Sequence, residues 1–361
     1  MSENLRVSPA PHISRKHSTK TIMLDVLIGL VPASAAAVYH FRQHAVILIL
    51  TCILASVAVE YICCKLMKRE NSLGDLSAVV TGLILALSLP PKLPVVYAVI
   101  GCIFAVGVCK MAFGGLGCNI FNPAMGARAF LTVSFGMAMA SWHLPAQMNP
   151  DMPGLGPDTQ VNAKNSSQEQ KDQDVKLDAV TQATPLSWVK KAVKTRNAEK
   201  ASEIIKSNWP NSQLKYALTG NIGGSLGETN ALALLAGGIY LLIRRTISWH
   251  IPAAVLGSAF VFAEIGYLFD KTAFANPLVH MVSGGMLICA FFIATDPVSS
   301  PITRAGTVVF GCGVGLIIVL IRLFGAYPEG VMFAILIMNA FTPLIDRMLP
   351  AKPIGGIPDG K

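Results

Sequence analysis

Two stretches decide how this chain folds: LALSLPPKLP at 85–94 and FFIATDPVSSP at 291–301. Each is an apolar run that ends in a hydroxyl side chain followed by prolines. A proline removes a backbone donor and breaks a helix. At membrane depth such a break is tolerated only where protein or a cavity satisfies the freed backbone groups. Two matched breaks, about two hundred residues apart, raise the question of whether the halves of the chain share one design.

Composition supports that reading. The 361 residues are 53% hydrophobic and 14% charged, whereas soluble domains run at roughly a quarter charged. The sequence therefore predicts an all-α polytopic membrane protein. About ten apolar segments lie near 21–39, 45–63, 75–90, 94–112, 123–140, 229–243, 251–269, 278–295, 305–324 and 330–346. Five precede a polar stretch and five follow it. The fourth runs into CKMAFGGLG and the ninth into LIRLFGAYPEG, each a basic residue and then Phe-Gly. With an odd number of segments per half, equivalent ones point in opposite directions, the logic of inverted repeats.

The expected organisation is an N-terminal tail at 1–20, a first five-helix repeat at 21–140, a polar region at 141–228, a second five-helix repeat at 229–346 and a C-terminal tail at 347–361. ASA at 33–35 resembles a signal-peptidase site. Cleavage there would leave nine segments and a poor charge balance, so the first segment is read as retained. Arg15, Lys16, Lys20, Lys65, Lys68, Arg69, Arg128, Arg244, Arg245, Arg304, Arg347 and Lys352 fall on one side, against Arg42, Lys92 and Lys271 on the other. Both termini are expected to be cytoplasmic and the polar region periplasmic, since long loops cross largely regardless of charge.

The net charge of +9 belongs to these loops and the polar region. No aromatic side chains interleave with the basic clusters, which argues against nucleic acid. The eight cysteines form no C-x-x-C pair, which argues against a protein-held zinc or iron–sulfur centre.

A carboxylate within an apolar segment usually faces a cavity or a partner. Asp25, Glu60 and Glu264 are the candidates for an ion pathway. Asp75, Asp270 and Asp346 are expected at the headgroups, and Asp296 lies beside the eighth segment. Lys110 and Arg322 occupy matched positions near segment ends, where snorkelling and contact with an anion or flavin are both open readings. FGGLGCNIFNPAMGAR at 113–128 runs from a glycine-rich loop into a proline-started helix. Its glycines allow close backbone approach and its helix N-terminus attracts anions, so Asn119 and Asn122 are candidate cofactor contacts; a tight turn is the alternative. It is neither a Walker A motif nor a Rossmann fingerprint.

DAVTQATPLSW at 178–188 lies in the polar region. The residue before a proline avoids the helical conformation, so Thr184 is displayed in a turn. By itself that is a turn and nothing more. Several blocks in order change its meaning: DLSAVVTGLILALSLPP, GGLGCNIFNPAM, DAVTQATPL, SWHIP, FFIATDPV and GAYPEGVMFAIL. With these the chain resembles the RnfD (RsxD) components of Rnf (Rsx) ion-translocating electron-transport complexes. It is more distantly similar to the NqrB component of the sodium-pumping NADH:quinone reductase.

The resemblance implies FMN joined through a phosphoester to Thr184, within a motif that Asp178, Thr181 and Ala183 match. Gln182 stands where many such motifs carry Gly. It further implies an inner-membrane redox subunit that is not catalytic alone, acting with iron–sulfur subunits and a second flavin subunit. Ferredoxin and NAD⁺ would be the electron couple, sodium ions or protons the translocated species, and non-covalent riboflavin a further cofactor of the membrane bundle. The rival reading is a urea-transporter-like channel or a passive scaffold.

Overall fold

A computed structural model describes residues 18–69, 72–142, 218–220, 223–269, 276–325, 327 and 329–350. Asp178, Thr181, Ala183, Thr184 and Asp270 lie outside them. Among the described residues the chain is helical, with no strands. Five helices are long and apolar enough to cross a membrane: α1 (Thr19–Phe41), α2 (Gln43–Leu66), α8 (His250–Phe269), α11 (Arg304–Phe324) and α12 (Val331–Met348). Between them lie shorter helices: α3 (Ser77–Leu87), α4 (Val95–Cys102), α5 (Pro123–Ser134), α6 (Gly136–Met139), α7 (Ala231–Ile243), α9 (Pro277–Val282) and α10 (Met286–Ile288).

The apolar faces of the long helices point outward. Val31 on α1, Leu54 on α2 and Phe269 on α8 are 59%, 66% and 83% exposed. Such surfaces suit lipid, since a soluble monomer rarely exposes apolar patches of this extent. The protein is a polytopic membrane protein.

Helices approach closely where side chains are smallest. A Cβ on Gly237 of α7 would overlap the carbonyl oxygen of Gly29 on α1, so these backbones touch. A Cβ on Gly315 of α11 would lie 2.5 Å from Val255 O on α8. Without a hydrophobic drive between helices in lipid, this close packing is what holds them together.

At both stretches flagged by their prolines the helix ends, at Leu87 and at Ile293, and each segment is also interrupted earlier. The third segment, expected over 75–90, is helical only over Ser77–Leu87, because Leu76 adopts a left-handed conformation (φ 64°) that ends the short turn Leu73–Asp75. At its other end Leu87 O accepts from Gly227 N–H at 2.7 Å and Leu89 O from Leu226 N–H at 3.1 Å. The end of the polar region thus satisfies carbonyls freed in the first half. The eighth segment breaks at Ser283–Gly285, where Ser283 is extended and Gly284 takes a φ of 67° that suits glycine. It then resumes as α10 and widens into a π-helical stretch, Cys289–Ile293. A second π-helical stretch, Ile103–Met111, continues α4 and carries Lys110.

Candidate functional site

The loop of residues 114–122 and the broken segments line a partly open cavity. Its wall includes Met23 and Val26 from α1, Ser77 and Thr81 from α3, Lys110, Asn119, Asn122, Thr246, and Phe292, Thr295 and Asp296 at the end of the eighth segment. The lining is mostly apolar with a few convergent polar groups, the character of a ligand site. Both asparagines singled out from sequence line it. Their roles differ. Asn122 caps α5, its Oδ1 accepting from Met125 N–H at 3.2 Å. Asn119 donates through Nδ2 to Phe121 O at 3.2 Å, and its buried Oδ1 has no partner. An orphaned acceptor on a cavity wall is a place for a ligand N–H.

Lys110 stands at the edge of this cavity. Its Nζ lies 2.9 Å from Glu60 Oε1 and 2.6 Å from Ser77 Oγ, and Glu60 Oε1 also accepts from Ser72 Oγ at 2.5 Å. Lys110 is 1% exposed and Glu60 0%, so Lys110 does not snorkel to a headgroup. The ion pair neutralises both charges, and Glu60 Oε2 is left without a partner. Of the acids placed on an ion pathway from sequence, Glu60 reaches the cavity wall through Lys110 and Asp25 through Thr246.

Asp25 sits in a separate network that ties α1 to the end of α7. It accepts from Thr246 Oγ1 at 2.8 Å, Tyr240 Oη at 3.3 Å and Arg244 Nη2 at 3.3 Å. The Arg244 side chain is 52% exposed, so this pair is solvent-screened on one side. Glu264 is half-buried on α8 and takes part in neither network. Asp296 accepts from Ser299 Oγ at 3.0 Å and Val298 N–H at 3.3 Å, closing the turn that ends the eighth segment.

The placement of Arg128 in a cytoplasmic loop is corrected by the structure. Arg128 is 3% exposed, inside the bundle on α5. Its Nη2 lies 3.2 Å from Glu228 Oε1 and also pairs with Glu329 Oε2. Sequence reasoning expected a helix started by Pro123 yet counted the charge of residue 128 with the loops; α5 carries it more than a turn inward. Arg322, matched to Lys110 by position, is likewise buried at 1% exposure. It donates through Nη1 to His280 O at 2.5 Å and through Nη2 to Ser283 O at 2.9 Å, satisfying carbonyls at the break in the eighth segment.

Glu228 and Glu329 were missed from sequence. Each immediately precedes an apolar run, where a carboxylate normally sits in the headgroup region. The only signal was the quoted AYPEG block, in which Arg322 drew attention and Glu329 did not.

Comparison with known proteins places this arrangement. Residues 6–355 match the model of the NQR2, RnfD, RnfE family. The D component of a Na⁺-translocating ferredoxin:NAD⁺ oxidoreductase complex from Acetobacterium woodii is 40% identical, the match covering 98% of this chain and 96% of that one. The D component of an ion-translocating oxidoreductase complex from Halorhodospira halophila is 39% identical, covering 96% and 94%. The D component of a proton-translocating ferredoxin:NAD⁺ oxidoreductase complex from Clostridium ljungdahlii is 36% identical, covering 97% and 96%. By a match that spans nearly its whole length, the chain belongs to the NQR2, RnfD, RnfE family.

Proposed function

We propose that this chain is the RnfD-type membrane component of an ion-translocating oxidoreductase complex, and that it carries FMN covalently on Thr184 and relays electrons through it. The observation that carries the reading is the coincidence of full-length similarity to RnfD-type proteins with the block DAVTQATPL, in which Asp178, Thr181, Ala183 and Thr184 match the flavinylation pattern. A phosphoester tether keeps a flavin from diffusing away and fixes one end of it. The flavin supplies the redox chemistry, and the protein tunes it through binding, orientation and electrostatics. Ferredoxin and NAD⁺ would be handled by other members of the complex, including iron–sulfur subunits and a second flavin subunit.

The same reading places the protein in a bacterial inner membrane with both termini cytoplasmic and the 141–228 region periplasmic. It takes the ten apolar segments as two inverted five-helix repeats. Support for the repeat comes from Lys110 and Arg322, matched in sequence, each buried beside the start of the broken segment of its own half. The translocated ion is sodium or a proton; relatives of similar identity name either one.

A second, non-covalent flavin would be held beside Lys110: the unpartnered Asn119 Oδ1 and the Lys110 ammonium would supply polar contacts, and Phe292 with the aliphatic wall would exclude water.

The test is direct. Protein from cells that make the flavin transferase is denatured, run on a gel and viewed under ultraviolet light beside a Thr184→Ala variant. A fluorescent band that the variant loses, with the matching mass added to the Thr184 peptide, is the expected result. An unmodified Thr184 in such cells would remove the redox assignment.

A further inference from the structure

Arg128, Glu228 and Glu329 take no part in the functions proposed above, yet they form a buried ionic cluster among the described residues. Four chain segments meet there. Arg128 comes from α5, Glu228 from the turn before α7, Glu329 from the turn before α12, and Gly285 from the break in the eighth segment. Glu329 Oε1 accepts from Gly285 N–H at 2.6 Å, and Glu228 Oε2 accepts from Ser225 N–H at 3.4 Å. A Cβ on Gly285 would stand 2.6 Å from Glu329 Oε1 and 3.4 Å from Glu228 Oε1, so both carboxylates converge on this glycine.

Around the pair, buried donors have no partner: Arg128 Nη1, Arg322 Nε, Ser225 Oγ and Ser283 Oγ. A buried donor left unmade costs about 1–3 kcal/mol, and such groups are met in folded proteins by ordered water. Water has a route to part of this cluster: a cleft lined by Arg128, Thr132, Trp142, Tyr327, Glu329 and Met332 reaches Arg128 and Glu329 at the end of the bundle where Trp142 lies.

We propose that Glu329, on the wall of this cleft, and Glu228, paired behind it with the same arginine, form a proton-binding site that takes up one proton between them from cleft water. One O–H bond forms on a carboxylate oxygen as one O–H bond of a hydronium ion breaks, leaving neutral water; release is the reverse. Two carboxylates drawn onto one guanidinium nitrogen repel each other, and a shared proton relieves that. The other ionisable groups facing the pair are Arg128 and Arg322, with His280 and Cys289 behind Arg322 and Tyr327 on the cleft wall.

The ligand is a proton and not a sodium ion because of what surrounds the oxygens. All four carboxylate oxygens already face N–H donors, and Arg128 lies where a metal ion would need oxygen ligands. Hard cations require several oxygens in their first shell. Protonation leaves the second guanidinium uncompensated, so negative charge entering the cleft favours proton uptake, and by linkage the proton favours that charge. Only this last coupling rests on the electron-carrying role proposed above.

The experiment is infrared difference spectroscopy on the full-length protein in lipid vesicles, titrated with pH in choline chloride. The expected result is a protonated-carboxyl C=O band that grows as pH falls and is absent in Glu228→Gln. In Glu228→Asp the band persists with its midpoint moved by about one pH unit, a tenfold change in proton affinity. A band that survives Glu228→Gln, or a wild type that shows none, overturns the proposal. Should Glu228→Gln not fold, an unmoved midpoint in Glu228→Asp overturns it instead. Loss of the band when sodium replaces choline at equal ionic strength would make this a metal-ion site and also overturn it. None of these readouts depends on whether Thr184 carries flavin.

Discussion

Lys110 and Glu60 come from segments fifty residues apart and meet at 2.9 Å with essentially no exposure to solvent. Taking two charges out of water costs several kcal/mol per ion, and attraction repays it only when the remaining groups are also satisfied. Here Ser77 and Ser72 supply two such bonds, and Glu60 Oε2 is left without one. In the second half Arg322 makes no direct ion pair among the described residues and meets backbone carbonyls at the break in the eighth segment. Each half thus places a buried cation against the broken segment, but the first half pairs it directly with a carboxylate, and the second bonds it to peptide carbonyls with Glu228 and Glu329 acting at longer range.

Removing one member of the buried pair should be severe. Lys110→Met leaves Glu60 without its counter-ion and is expected to cost about 3–5 kcal/mol. Lys110→Met with Glu60→Gln should recover part of that. Thermal unfolding in detergent of the two variants beside wild type measures it, and a double variant no more stable than the single would show that the pair is not coupled.

Asp25 and Arg244 provide the contrast. The arginine side chain is 52% exposed, and screened pairs contribute about 0–1 kcal/mol. Asp25→Asn also keeps an acceptor for Thr246. It should change stability by no more than about 1 kcal/mol in the same unfolding assay. A loss as large as that of Lys110→Met would mean that α1 and α7 depend on this charge.

The crossing of α1 and α7 should depend instead on Gly237, where backbone meets backbone. Gly237→Ala must push the helices apart, and overpacking of this kind costs about 1–3 kcal/mol. A variant that melts with wild type would show that α1 can yield there without cost.

Apolar runs and prolines marked the helical segments because lipid leaves the backbone few choices. The helix ends at Leu87 and Ile293 were legible for the same reason, whereas the break at Ser283–Gly285 carries no proline and was not. Depth was harder to read. Arg128 was counted with the basic residues of the loops, and Glu228 was not singled out at all. Their burial together depends on α5 packing against turns that lie 100 and 201 residues away. Charge counting assigns a residue to a side of the membrane and is blind to such pairings. Asn119 and Asn122 were flagged together from one loop, and only the geometry separates a helix cap from a free acceptor.

That separation makes a prediction about the cavity. Asn122→Ala removes the side chain that caps α5 and should cost about 1 kcal/mol of stability. Asn119→Leu removes the acceptor without touching the cap. A lost hydrogen bond to a bound ring is worth about 1–3 kcal/mol, so Asn119→Leu should weaken retention of non-covalent flavin by about tenfold or more. Acid-released flavin and the covalent gel band report the two cofactors separately in one preparation. Asn119→Leu should lower the released fraction and leave the Thr184 band intact. Undiminished released flavin in that variant would place the non-covalent flavin somewhere other than this cavity.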